Sequence, residues 1–351
     1  MRARFLARPR IAVAGFGCAG RTSLYQALFG PDAKTVTRMG PHDRFGMDLA
    51  DGETLPEGRF AVDRVAESGL FDRQHVVIQA VDGFYGPTTG DAVLAELLRR
   101  SRTRIVTALT KADLYTAPER VELVGRTSRA LAVPPEDIVF VSTRARIGTA
   151  ELARRVAASL PADFVDAFCA VQVADPALTR RRQQRVIYGK ATAAAATAAT
   201  FGVQHVVPVE LATMAWIADL AGRNLGREAL ITLAQDAGMK AGTWEWTFRG
   251  LLGGGPLLAF ADTVALGEAV SAWVWGGRLA EGADVRAVYK GAYAQARDAW
   301  PQYESRVARL TGRLRRLEAR KDGGEIEDDE LGEELAALGE RDDRRVQLAT
   351  G

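Results

Sequence analysis

Cysteine and histidine are scarce in this chain: Cys18 and Cys169, with His42, His75 and His205, are all there are among 351 residues. No Cys-x-x-Cys or His-x-x-x-His spacing occurs, which argues against a disulfide framework and a zinc site, and a reducing cytoplasm fits that usage. An excess of one charge is also missing. The 46 basic and 44 acidic residues leave a formal charge of +2, so no global field points to nucleic acid and none is expected as a partner. The opening "MRARFLARPR" is basic but has no apolar core or small-residue cleavage site, and reads as a lead-in rather than a signal peptide. Convincing bilayer-spanning runs are lacking too. Ala191 to Val209 carries no formal charge but is mostly Ala and Thr and holds Gln204, His205 and Pro208; the more apolar segment ending at Trp275 is interrupted by Asp262 and Glu268. What is present is an apolar fraction of 47%, enough to fill a core in each of two domains.

Residues 10 to 160 alternate short apolar runs with helical patterns, the βαβ rhythm of a mainly parallel sheet covered by helices. The spacing predicts strands at Ile11 to Ala14, Arg59 to Val62, Val76 to Val81, Arg104 to Leu109 and Ile138 to Val141, with Asp91 and Thr149 as helix caps. After Leu160 the strand signal stops, Ala dominates and an all-α region follows. Two helices are expected there with a break near Pro208, the second carrying a core stripe of Leu211, Met214, Ala215 and Ala218; a further helix opens at Pro256. From Trp300 a charged terminal helix pair is expected, with Val307, Leu310, Leu314 and Leu317 on one face and the acidic run "GGEIEDDELGEEL" behind.

Three stretches in the first region carry chemistry. "GFGCAGRT", Gly15 to Thr22, follows a strand and opens a helix. Glycines there let successive backbone N–H groups turn toward one anion, and the helix N-terminus adds its partial positive charge. The strict pattern has lysine where this chain has Arg21, and Thr22 offers a hydroxyl to Mg²⁺. "TKAD", Thr110 to Asp113, ends a later strand: an aspartate there can accept two hydrogen bonds from the guanine edge while a lysine stem lies along the base. Such a charged hydrogen bond contributes roughly 1.5–3 kcal/mol, enough to prefer guanine over adenine. "VFVSTRARIGTAEL" puts Ser142 and Thr143 at the next strand end, where a small-residue turn can bring N–H groups to the guanine oxygen.

Together with "SLYQALFG" and "VDGFYGPTTGDAVLAELL", these motifs resemble an Era-like GTPase domain of the translation-factor-related class, over roughly residues 8 to 160. The segments "AVQVADPALTRRRQQRVIYGKATAAAATAATFGVQHVVPVELATMAWIADLAG" and "GLLGGGPLLAFADTVALGEAVSAWVW" resemble the bacterial helical domain called domain of unknown function 697. The resemblance implies a three-layer α/β/α P-loop NTPase fold with a mainly parallel sheet at 8–160, an all-α domain at 161–298 and a charged helical tail at 299–351. It implies phosphate contacts from Gly15, Gly17, Cys18, Ala19, Gly20, Arg21, Thr22 and Ser23, and base contacts from Lys111, Asp113, Ser142 and Thr143. GTP or GDP would be the ligand, with Mg²⁺ met by Thr22 and Asp63.

The family's Asp-x-x-Gly is incomplete here: Asp63 is followed at the glycine position by Ala66, and the next glycine is Gly69. The switch threonine is Thr35, Thr37 or neither, no residue is well placed to orient water, and His75 reads as structural. Even an intact small GTPase turns over at only around 10⁻⁴ s⁻¹ without its activator, so binding is better supported than hydrolysis and no catalytic residue is assigned. Two readings follow: a guanine-nucleotide-binding regulatory protein, with slow hydrolysis or none, whose helical half meets a membrane or protein partner, or a pseudo-GTPase scaffold. An ATP-using enzyme fits less well, because Lys111 and Asp113 speak for guanine. The basic cluster Arg180, Arg181, Arg182, Arg185 and Lys190 is either a solvated helix face or a contact for anionic lipid at the inner membrane surface.

Overall fold

The computed structural model describes residues 9–31, 35–39, 46–50, 69–223, 225–236, 255–275 and 285–323. The chain divides into two compact units, Arg2–Leu178 and Thr179–Gly351.

The first unit is built on a six-stranded sheet. In chain order its elements are β1 (Ile11–Gly15), α1 (Arg21–Phe29), β2 (Thr35–Met39), β3 (Gly46–Ala50), β4 (Val76–Val81), α2 (Thr89–Arg100), β5 (Arg104–Leu109), α3 (Ala117–Leu131), β6 (Ile138–Phe140), α4 (Thr149–Ser159) and α5 (Ala162–Val171). The strands lie in the order β2-β3-β1-β4-β5-β6. β1, β4, β5 and β6 run parallel, with Val13 opposite Ile78, Ile78 opposite Val106 and Ala108 opposite Val139. β3 is antiparallel to β1, and β2 to β3.

Helices on both faces bury β1 and β4 at every residue, including Gln79 of β4, whose amide donates to Asp91 O at 2.8 Å. Alternation along β1 sorts the core: Ile11 and Val13 join Leu24 and Leu28 of α1, Leu152 and Val156 of α4 and Phe168 of α5, while Ala12 and Ala14 join Leu94 and Leu98 of α2. This is the expected three-layer α/β P-loop fold. The hairpin β2-β3 was not anticipated, and Thr35 and Thr37, considered as switch residues, fall in strand β2. The strand expected at Arg59 to Val62 lies outside the described residues, as do Asp63 and Ala66.

Cap positions differ from those expected. Thr88, not Asp91, caps α2; Asp91 is its partner in a capping box, its carboxylate accepting from the Thr88 N–H and hydroxyl. Gly148 at φ 70° precedes α4, and Thr149 is that helix's first residue.

The second unit holds nearly all of α6 (Pro176–Phe201), and α7 (Val207–Leu220), α8 (Arg227–Asp236), α9 (Gly255–Trp275) and α10 (Val285–Asp322). Among its described residues there is no strand, as the sequence predicts for the region after Leu160. The chain breaks after α6 at Gly202, φ 93°, ahead of Pro208, which instead sits in the first turn of α7. Pro256 opens α9 as expected, and the buried Met214 and Ala218 of the α7 stripe lie in the core. Gly267 lets α9 approach α6: a Cβ there would stand 2.6 Å from Ile187 Cγ1. Tyr188, Phe260 and Tyr303 pack together, Phe260 and Tyr303 with centroids 5.0 Å apart. Over Trp300 the expected boundary is absent, because α10 is one helix of 38 residues running through Pro301, with Val307, Leu310, Leu314 and Leu317 buried on one face. The acidic run behind it lies outside the described residues. α9 is long and apolar enough to span a bilayer, but 72% of its most apolar window is buried in the unit, as in a core helix.

Candidate nucleotide site

Three loops singled out in the sequence leave the C-terminal ends of parallel strands β1, β5 and β6, where open α/β sheets take ligands. A fourth, Asp82 to Thr88, leaves β4 between them.

In the loop after β1, Cys18 at φ 67° and Gly20 at φ 71° are left-handed. That conformation turns consecutive N–H groups toward one side as an anion nest does. The N–H groups of Gly17, Cys18, Gly20 and Ser23 donate no hydrogen bond among the described residues, whereas Ala19 N–H donates to Phe16 O at 3.3 Å. Four of the predicted phosphate contacts therefore present unengaged donors, and the Ala19 N–H is committed within the loop. Gly15 is required by packing, since a Cβ would lie 2.4 Å from Ala80 O on β4; the Phe16 ring sits against Gly90, where a Cβ would come within 2.7 Å of it.

Arg21 is buried at 7% exposure, and its Nη1 donates to Gly15 O at 2.9 Å. Its guanidinium thus turns back onto the end of β1 and ties the two ends of the loop. Thr22 and Ser23 are exposed in the first turn of α1. A threonine hydroxyl is a suitable hard-oxygen ligand for Mg²⁺ alongside nucleotide oxygens, so Thr22 fits that role. Among the described residues no three His, Cys, Asp or Glu side chains cluster as a metal site.

At the other end of the site, Thr110 N–H and hydroxyl both donate to Val81 O, fastening the end of β5 to β4. Lys111 is left-handed at φ 59°, and its Nζ pairs with Asp82 Oδ2 at 2.7 Å. Asp113 is exposed on the following 3-10 turn. The nearby Ser142 hydroxyl, then its own backbone N–H, and Arg144 and Arg120 beyond, hold Asp113 below the usual carboxylate range. Ser142 exchanges both backbone hydrogen bonds with Ile147, at 2.8 and 3.0 Å, and its Oγ accepts from Ala145 N–H. These bonds close a four-residue turn, 143–146, whose first N–H, that of Thr143, is unengaged. Asp113 and Ser142 thus act on one another, with Lys111 two residues before one and Thr143 next to the other. Gly148 permits the turn, because a Cβ there would be 1.8 Å from Phe140 O.

The residue sequence reasoning missed is Asp82. It accepts from Phe84 N–H and its own carbonyl accepts from Gly86 N–H, as well as pairing with Lys111. The signal for it was an acid immediately after a buried, mostly apolar strand and before a glycine.

No family model and no curated protein matches this chain. Among solved structures it is similar to a probable GTP-binding protein, EngB, at 15% identity, covering 42% of this chain and 96% of that one with TM-score 0.31. It is also similar to the G domain of the T. maritima FeoB iron transporter, at 23% identity, 42% and 96% coverage and TM-score 0.29. The GDP form of the whole FeoB cytosolic domain aligns over 85% of this chain and 96% of its own length, at 16% identity and TM-score 0.29. These likenesses are loose, and the fold stands on its own strand order and registers.

Proposed function

We propose that the chain binds a guanine nucleotide through an Era-like P-loop domain and that its helical unit, of the kind called domain of unknown function 697, carries the output to a membrane or protein partner. The observation that carries this reading is the exposed Asp113 carboxylate at the end of β5, kept acidic with Ser142 as the first cause, together with the unengaged Thr143 N–H on the turn after β6. A carboxylate acceptor facing the guanine N1–H and 2-amino group, with an N–H donor toward O6, is the complement of guanine; adenine offers the opposite pattern on that edge. Each charged hydrogen bond contributes about 1.5–3 kcal/mol, so the preference over adenine amounts to tenfold or more.

The diphosphate lies over the unengaged N–H groups of Gly17, Cys18, Gly20 and Ser23. Arg21 supplies positive charge from behind the loop, and Thr22 holds Mg²⁺, which neutralises phosphate charge when bound. Exposed Arg180 and Arg185 on α6 make anionic lipid one candidate for the output surface. Calorimetric titration of the full chain with GDP, GTP and ATP in Mg²⁺ tests the reading: guanine nucleotides bind and ATP binds at least tenfold more weakly. Absence of binding at millimolar concentration would refute it.

One observation favours the second reading, a pseudo-GTPase. The Arg21 guanidinium is buried against Gly15 O, and a planar fork does not replace an ammonium at a tight phosphate cradle. GDP and GTP binding with equal affinity and no phosphate release would support a nonhydrolysing nucleotide scaffold; no binding at all would support a scaffold without nucleotide.

A further inference from the structure

The loop after β4 exposes two large rings. Phe84 is 57% and Tyr85 73% accessible, and they meet edge to face with centroids 4.9 Å apart. Exposed aromatics on a loose loop would call for no explanation, but this loop is fastened at several points. Asp82 Oδ1 accepts from Phe84 N–H at 2.8 Å, Asp82 O accepts from Gly86 N–H at 2.9 Å, and the Tyr115 hydroxyl donates to Gly83 O at 2.8 Å. Gly83 admits the chain from β5, since a Cβ would lie 2.0 Å from Thr110 O.

The fastened rings converge on one group. Lys111 Nζ stands 5.9 Å from each ring centroid and 2.7 Å from Asp82 Oδ2, whose side chain is 9% exposed. Ring faces attract an ammonium at this range, and a carboxylate with little water access holds one more firmly than a surface acid does. The Lys111 backbone is left-handed at φ 59°, a conformation that costs a non-glycine residue about 1–3 kcal/mol and persists where surrounding contacts fix it.

We infer that Asp82, Phe84 and Tyr85 form a clamp on the Lys111 ammonium that fixes the lysine's methylene stem as the floor of the purine subsite. The inference rests on the guanine-nucleotide reading above. The three are positioning residues: they act on the base through Lys111, and the hydrogen-bonding edge of the base is left to Asp113 and Thr143. The clamp therefore strengthens binding of any purine with the right phosphates and is indifferent to the 2-amino group. Without it a four-carbon stem samples many rotamers, and ordering it falls on the ligand.

Binding of GDP, inosine diphosphate and inorganic pyrophosphate to the full chain in Mg²⁺, measured by calorimetry, separates these roles. Asp82→Asn weakens GDP and inosine diphosphate alike, by about tenfold, and leaves pyrophosphate within about twofold. The Phe84→Ala/Tyr85→Ala double variant, whose exposed side chains put the fold at little risk, does the same by about threefold. In a Lys111→Ala background neither change has further effect, the non-additivity expected of residues that act through one partner. The clamp is overturned if the variants bind GDP as the native chain does, if pyrophosphate weakens equally, or if the losses persist without Lys111. A native chain that binds no GDP overturns the nucleotide reading itself, a distinct outcome seen before any variant is made.

Discussion

The Ser142 side chain and the Asp113 carboxylate act on one another across two turns: Ser142, on the turn after β6, is the first cause of the low pKa of Asp113, on the turn after β5. Asp113 is exposed, and the influence of Ser142 keeps its carboxyl ionised as an acceptor, with the Thr143 N–H unengaged in the neighbouring turn. Ser142→Ala removes that influence. The Asp113 carboxyl then returns toward its ordinary value of 3.8, and GDP affinity falls by about threefold to tenfold. A carboxyl titration followed by NMR together with calorimetry checks both; unchanged GDP affinity would separate Ser142 from base recognition.

Arg21 is a strut of the phosphate loop as well as a charge beside it. Arg21→Ala leaves Gly15 O without its buried guanidinium donor and destabilises the first unit by about 1.5–3 kcal/mol, measured from urea denaturation. Arg21→Lys keeps the charge and recovers part of the nucleotide affinity but not the full stability, because an ammonium lacks the fork. An Arg21→Ala chain as stable as the native one would remove the strut.

Cys18 is exposed in the loop after β1 and Cys169 is buried in α5. N-ethylmaleimide therefore labels Cys18 first in the folded chain. In the proposed binding mode the diphosphate covers that loop, so GDP with Mg²⁺ should slow the labelling of Cys18 by tenfold or more at saturation, by the ratio of free to bound protein, while ADP at the same concentration should protect far less. Equal labelling with and without GDP would place any bound nucleotide away from the loop.

His75 couples the entry of β1 to β4: its Nδ1 accepts from Arg10 N–H at 2.9 Å, and its ring lies 3.9 Å from that of Phe164. Burial, and secondarily the Arg10 charge, hold the imidazole below its usual 6.5. A base depressed in the folded state binds fewer protons there than when unfolded. Its stabilising contribution is thus complete above pH 6.5 and is lost as pH falls through the folded value. Melting curves from about pH 7 down to about pH 5 should show a steeper loss of Tm for the native chain than for His75→Gln; parallel curves would show that His75 carries no such linkage.

The parts of this fold legible in the sequence are those buried on both sides. β1 and β6 are apolar throughout and β4 and β5 nearly so, interrupted by Gln79 and Thr107, because helices cover both faces of the sheet, and the loops after them could be placed from those runs. The edge hairpin was not legible, since "TVTRM" and "GMDLA" show no apolar run. The break expected near Pro208 is there, but its cause is Gly202, in a conformation few side chains adopt, which ends α6, while the proline sits in the first turn of α7, where it is equally at home. Asp82 was overlooked because an acid after a strand reads as solvent loop; only the approach of Lys111 from β5 gives it a partner.

The most direct test of the account exchanges the acceptor at residue 113 for an amide. Xanthine carries a carbonyl where guanine has its 2-amino group, so Asp113→Asn, which supplies a donor, should lose GDP affinity and gain affinity for xanthosine diphosphate, each by about tenfold or more, measured by calorimetry on the full chain in Mg²⁺. An Asp113→Asn chain that binds GDP as well as the native protein does, or a native protein that binds GDP and ADP equally, would contradict guanine recognition at this site.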